Sequence, residues 1–136
     1  MTIDLRPVLA FSQYASRAVT ADPALVPWLE AAGAHPFPWQ EARAGLAAAV
    51  DPDTLAPALR HLRRRVFLHT MARDLAGLAP LQEVGAAMTR LAETALQAAV
   101  EVVELMMALE EMVLAVAEHR VTVQLLVLEA LVLMAE

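Results

Sequence analysis

Between Leu81 and Glu118 the chain runs without a proline and with one glycine, Gly85. Gln97, Glu101, Glu104, Glu111 and Glu118 recur along it at spacings of three, four and seven. At about 100° per residue these positions fall on one narrow stripe. Most of the remainder is Ala, Val, Leu or Met. The pattern specifies a long α-helix with one polar line, and a helix so apolar needs neighbours on several sides. It is either the centre of a bundle or part of an oligomer. This segment sets the fold class expected for the chain: all-α, a helical bundle of about five to six helices with one long central helix.

The remainder is read around that helix. Residues 1–80 are punctuated by prolines and divide into short helices with Pro-rich turns. The first is expected over about Arg6 to Val19, with Pro7 in its first turn. Asp22-Pro23 is a start signal, Gly33 a stop, and Pro27 a kink or reset. "AHPFPWQ" (34–40) reads as a loop whose rings pack on neighbours. A helix from about Trp39 to Val50 follows. "DPDTLAP" (51–57) opens another, which Gly77 and Pro80 close. Residues 119–136 are apolar and begin β-branched, but a lone strand has nothing to pair with, so they are read as helix. The whole, 1–136, is expected to form one helical domain.

Apolar residues make up 59% of the chain and aromatics 4%, so the core must be aliphatic. The formal charge is −6, which argues against a nucleic-acid partner. It is unevenly spread: residues 1–68 hold seven Arg and six acids, net +1, and residues 69–136 hold three Arg and ten acids, net −7. No lysine is present, which removes lysine catalysis, and the absence of cysteine removes thiolate and disulfide chemistry. The N-terminus lacks the apolar core of a signal peptide, and no uncharged apolar run reaches the length of a membrane span. A cytoplasmic location is expected.

One cluster breaks the apolar pattern: "LRRRVFLHTMARDLAG" (62–77). Taking Leu59 as zero on a helical wheel, Leu62, Val66, Thr70 and Arg73 fall between about 300° and 20°. Phe67, Met71, Leu75, Leu68 and Arg64 fall between about 80° and 180°. His61, Arg65 and His69 lie near 200–280°, the expected solvent face. Arg65 is thus predicted to be exposed, while Arg64 and Arg73 point into apolar arcs. Their stems can cover apolar surface while the heads snorkel or pair with carboxylates. Alternatively, Arg64 and Arg73 form an anion or partner contact. Asp74 cannot face Arg73 on a helix, so a partner must come from elsewhere, with the acidic stripe as the candidate.

No other chemistry is visible. His61 and His69 are two turns apart, too far to chelate one metal, and the Glu-x-x-His pattern of di-iron bundles is missing. Ser12 and Ser16 have no recognisable base, and the four glycines are isolated. No catalytic, cofactor-binding or metal-binding residue is assigned.

The wording of residues 58–102, "ALRHLRRRVFLHTMARDLAGLAPLQEVGAAMTRLAETALQAAVEV", resembles a known family. "LRRxR" before an apolar turn, then "RDLAG", "PLxEV" and "MTxLAExAL", is similar to the N-terminal helical region of bacterial bifunctional glutamine synthetase adenylyltransferase/adenylyl-removing enzymes. "SQYASRAV" and "DPALVPWL" resemble its opening segment. The resemblance covers roughly residues 9–104. It implies an enzyme with two nucleotidyltransferase domains that adds AMP from ATP to glutamine synthetase and removes it by phosphorolysis. It further implies Mg²⁺ or Mn²⁺ as the metal, and control by the PII protein and glutamine. The resemblance also implies a glycine-rich "GMGKLGGRELN" passage and an Asp-x-Asp metal signature after the long helix. "AEHRVTVQLLVLEALVLMAE" stands there instead, so no catalytic position carries over. A fragment, a shifted reading frame and a designed sequence each fit that departure. The isolated chain is expected to be a truncated, inactive piece of the family. The alternative is a non-enzymatic, self-associating helical scaffold, with a homo-oligomer formed through 105–135.

Overall fold

The computed structural model describes residues 2–135. Six helices follow one another: α1 Arg6–Phe11, α2 Gln13–Ala21, α3 Leu25–Ala32, α4 Trp39–Leu46, α5 Pro52–Leu75 and α6 Leu81–Ala135. Among the described residues there is no strand. The expected all-α architecture and its long helix are present.

The single first helix expected over 6–19 is two. Ser12 takes an extended backbone (φ −116°, ψ 110°) and its Oγ accepts from the Ala15 N–H at 3.2 Å, capping α2. The break turns the chain so that Val8 on α1 and Ala15 and Ala18 on α2 reach one core. Asp22 accepts from the Ala24 N–H, and α3 starts at Leu25 rather than at Pro23. Pro27 therefore lies in the first turn of α3, where a missing N–H costs nothing and no kink is needed. The helix expected over 39–50 ends at Leu46.

At the start of α5, Asp51 accepts from the Thr54 N–H at 2.8 Å and Thr54 Oγ1 accepts back from the Asp51 N–H, a reciprocal cap. The helix ends at Gly77 (φ +70°). There the Leu78 N–H reaches Arg73 O at 2.8 Å and the Gly77 N–H reaches Asp74 O at 2.9 Å. This left-handed closure suits a residue without Cβ. Pro80 then starts α6, its carbonyl accepting from Glu83 N–H at 2.8 Å.

The helix on which the rest is built is α5, which packs against α1, α3, α4 and α6. Its C-terminal half supplies Leu68 and Ala72 to a core with Ile3, Leu5, Val8, Leu25 and Leu29. Leu55, Leu62 and Val66, nearer its start, join a second core with Leu46, Ala98 and Val102. The long helix is central only through residue 102. From Val103 to Ala130 every residue is exposed. At 1.5 Å per residue that is a projection of about 42 Å. The segment from 119 continues the helix, as expected, with no strand.

Candidate functional site

The polar centre of the molecule lies where the α5–α6 turn meets the loop after α3. Arg73 is buried. Its Nε and Nη2 donate to Glu83 Oε1 and Oε2 at 2.5 and 3.1 Å, a bidentate pair. Nη1 donates to Gly33 O at 3.1 Å and Nη2 to Leu78 O at 3.2 Å. One guanidinium thereby ties α5, the α6 N-terminus, the turn between them and the end of α3. Planar, multi-donor geometry makes this an arginine task that lysine could not perform. The bonded guanidinium holds the Glu83 carboxyl below the usual glutamate range, against a smaller opposing effect of burial. The partner expected from the acidic stripe is thus supplied by Glu83, upstream of it. Of the stripe itself, Glu101 lies 3.8 Å from Arg43 across exposed surface.

One turn before Arg73, His69 is buried as well, which corrects its placement on a solvent face. Its Nε2 lies 3.2 Å from Ala32 O and 3.0 Å from His35 O. Both partners are acceptors, so Nε2 carries the proton. Burial pushes the His69 pKa down, with the two carbonyl bonds opposing. Helix α3 and the loop 34–40 after it account for the inversion of the face: Phe37 of the loop meets the His69 ring edge-on at 5.3 Å, and Trp28 of α3 lies 6.2 Å away. Arg65, expected in water, is half-buried with its guanidinium 4.1 Å above the Trp28 ring. His61 is exposed, as expected, and the exposed side of α5 carries it with Arg60, Arg63 and Asp74. There Arg63 sits 5.1 Å over half-buried Phe67.

Arg64 is half-buried and, among the described residues, takes no side-chain hydrogen bond or ion pair. Nine residues on α5 separate it from Arg73, about 180° around the helix and ~13 Å along it. The structure does not bring the two together. Sequence reasoning placed Arg73 inward correctly but missed Glu83 and His69. The usable signal for Glu83 was the Gly77–Pro80 turn, which brings Arg73 in the last turn of α5 to face Glu83 in the first turn of α6.

A cavity of about 340 Å³ opens beside this centre, lined by Phe37, Trp39, His69, Thr70, Glu83 and Arg90 among others. Among the described residues no three His, Asp or Glu side chains converge as a metal cluster would require. No described helix is long and apolar enough to cross a membrane.

Comparison with known proteins bears on all of this. The family model for glutamate-ammonia ligase adenylyltransferase matches residues 2–129. The chain is 40% identical over 98 residues to the bifunctional glutamine synthetase adenylyltransferase/adenylyl-removing enzyme of Nitrosomonas europaea, covering 69% of this chain and 10% of that enzyme. The like-named enzyme of Chromobacterium violaceum is 43% identical over 91 residues (65% and 10%). That of Ralstonia nicotianae is 42% identical over 101 residues (70% and 11%). The chain spans about a tenth of the length of the curated relatives it matches. No solved structure matches it.

Proposed function

The chain belongs to the glutamate-ammonia ligase adenylyltransferase family, and from that premise we propose that residues 1–136 serve as a helical scaffold within a longer enzyme acting on glutamine synthetase. In this reading the piece forms one helical unit ahead of the first nucleotidyltransferase domain and performs no chemistry itself. The whole enzyme adds and removes AMP in the cytoplasm, under control of the PII protein.

The observation that carries this reading is the fate of the family's wording. Arg73 opens "RDLAG" and Glu83 stands in "PLQEV", and each spends its charge on the other. The most recognisable residues of the stretch clamp a hairpin. ATP and Mg²⁺, which the family implies, find no fit in this region. The Arg73 donors are committed to Glu83 and two carbonyls, no carboxylate cluster is present among the described residues, and the glycines are scattered.

The test is to incubate the purified chain with adenylylated glutamine synthetase, orthophosphate and Mg²⁺, and separately with unmodified glutamine synthetase and ATP. The expected result is no ADP release and no AMP transfer. Turnover in either arm overturns the scaffold reading. A second reading, a self-associating scaffold without enzymatic context, is favoured by the exposed apolar length of α6.

A further inference from the structure

The cavity beside the Arg73–Glu83 pair has two polar groups in its wall that the fold leaves unanswered. The first is Thr70, which is only 8% exposed. Thr20, Thr89 and Thr122 each donate their hydroxyl to the carbonyl four residues before, whereas the Thr70 hydroxyl takes no hydrogen bond among the described residues. The second is His69, 2% exposed, which commits Nε2 to two carbonyls and leaves Nδ1 without a partner among the described residues. With the proton on Nε2, Nδ1 is an acceptor. Among the described residues no fully buried polar side-chain atom lacks a hydrogen bond. Both atoms therefore open to a space, and the cavity is a space that both residues line. Native interiors rarely leave such groups without a water or a ligand to meet them.

The rest of the wall defines what fits. Phe37 and Trp39, with ring centres 4.7 Å apart, form an aromatic side, and Ala86 and Ala87 leave room on the α6 side. Glu83 lines the cavity too, but Arg73 already answers its charge. The charge that remains is Arg90. Its guanidinium stands 5.4 Å over the Trp39 ring and, among the described residues, in no ion pair. Arg90 is exposed, so it marks the mouth. It lies one turn beyond Ala86, about 6 Å along α6. The volume of about 340 Å³ is at the small end of ligand sites, which run to ~1,000 Å³. It suits a single-ring molecule rather than a nucleotide.

We propose that this cavity binds a small aromatic carboxylate bearing a hydroxyl. The carboxylate pairs with Arg90 at the mouth, where water still reaches it and desolvation is partial. The ring lies against Phe37 and Trp39. The hydroxyl points inward, donating to His69 Nδ1 and accepting from the Thr70 hydroxyl, so both unanswered groups are met. Burial holds the His69 pKa down, which keeps the imidazole neutral and Nδ1 an acceptor at pH 7. The proposal adds a ligand to the scaffold without resting on the adenylyltransferase reading. Failure to bind leaves that reading untouched, and ADP release would leave the cavity untouched.

Isothermal titration of the full chain with 4-hydroxybenzoate at pH 7 is expected to show one site, with a Kd of roughly 0.1–1 mM for a ligand of this size. Benzoate lacks the hydroxyl and 4-hydroxybenzamide lacks the charge, and each should bind about tenfold more weakly. Thr70→Val keeps the shape of the side chain and should weaken binding about fivefold. Arg90→Gln, at an exposed position that the fold does not need, should weaken it about tenfold. Ala86→Leu fills the cavity from its exposed side and should abolish binding. Leu109→Glu, on the exposed length of α6, should change nothing, and circular dichroism should show the same helix content in all four variants. No binding at millimolar concentration, equal affinity for benzoate, unchanged affinity in both Thr70→Val and Arg90→Gln, or an equal loss with Leu109→Glu would each overturn the proposal.

Discussion

Arg73 is the residue on which the most structure converges. Removing one partner of a buried ion pair leaves the other uncompensated, a loss of several kcal/mol. Arg73→Ala is expected to destabilise by about 3 kcal/mol, read as a lower urea midpoint. Glu83 is more exposed, its side chain at 36% against 9% for Arg73. Water can replace part of what it gives, so Glu83→Gln should cost only about 1 kcal/mol. Equal losses would contradict this account. Gly33 sits beside the same centre for a steric reason. A Cβ there would stand 2.7 Å from Leu29 O and 2.6 Å from Ile3 Cδ1. Ile3 can shift but a backbone carbonyl cannot, and Gly33 O already holds Arg73. Gly33→Ala is expected to cost about 1–3 kcal/mol by overpacking, measurable in the same denaturation series.

At the scale of elements, the sequence was most readable where local chemistry decides. The Asp51-Pro52-Asp53-Thr54 start of α5 and the Gly77 stop were both legible, because caps are made by neighbours in sequence. Asp51→Ala removes the acceptor for the Thr54 N–H and should cost about 1 kcal/mol, with helix content by circular dichroism preserved. The break at Ser12 was not legible: Arg6 to Val19 has no internal proline or glycine after Pro7. Serine serves equally well inside a helix on the surface and as a cap between two, and only the need of α1 and α2 to share a core selects the second. The solvent face of α5 was misread for a related reason. His61 is exposed as the wheel expects, but α3 and the loop after it, about 30 residues upstream, cover Arg65 and His69 with Trp28 and Phe37 and satisfy His69 with two carbonyls.

The whole molecule responds to pH through this centre. His69 and Glu83 both have folded pKa values below their ordinary ones. A depressed pKa means the unfolded chain binds protons more readily, so the stability contributed is complete above the ordinary value and is lost as pH falls through the folded one. The His69 loss should begin below about pH 6.5 and the Glu83 loss below about 4.3. Urea midpoints are expected to fall in those two stages. His69→Gln, which keeps a donor for Ala32 O and His35 O, should abolish the upper stage. Glu83→Gln should flatten the lower one. A midpoint constant from pH 7 to 5 in the unsubstituted chain would contradict the buried neutral imidazole.

By itself the sequence determined the all-α class, the long helix with its acidic line, the cap and stop of α5, the inward turn of Arg73 and the family. Each follows from periodicity, turn chemistry or wording within a short span. The tertiary structure alone decided that Arg73 answers to Glu83, that His69 is core and Arg65 a lid on Trp28, and that α5 is the pillar of both cores. It also decided that α6 leaves the bundle after Val102. A helical wheel states which residues share a face. Which faces meet depends on where distant loops fall, and on which apolar stripe finds a partner first.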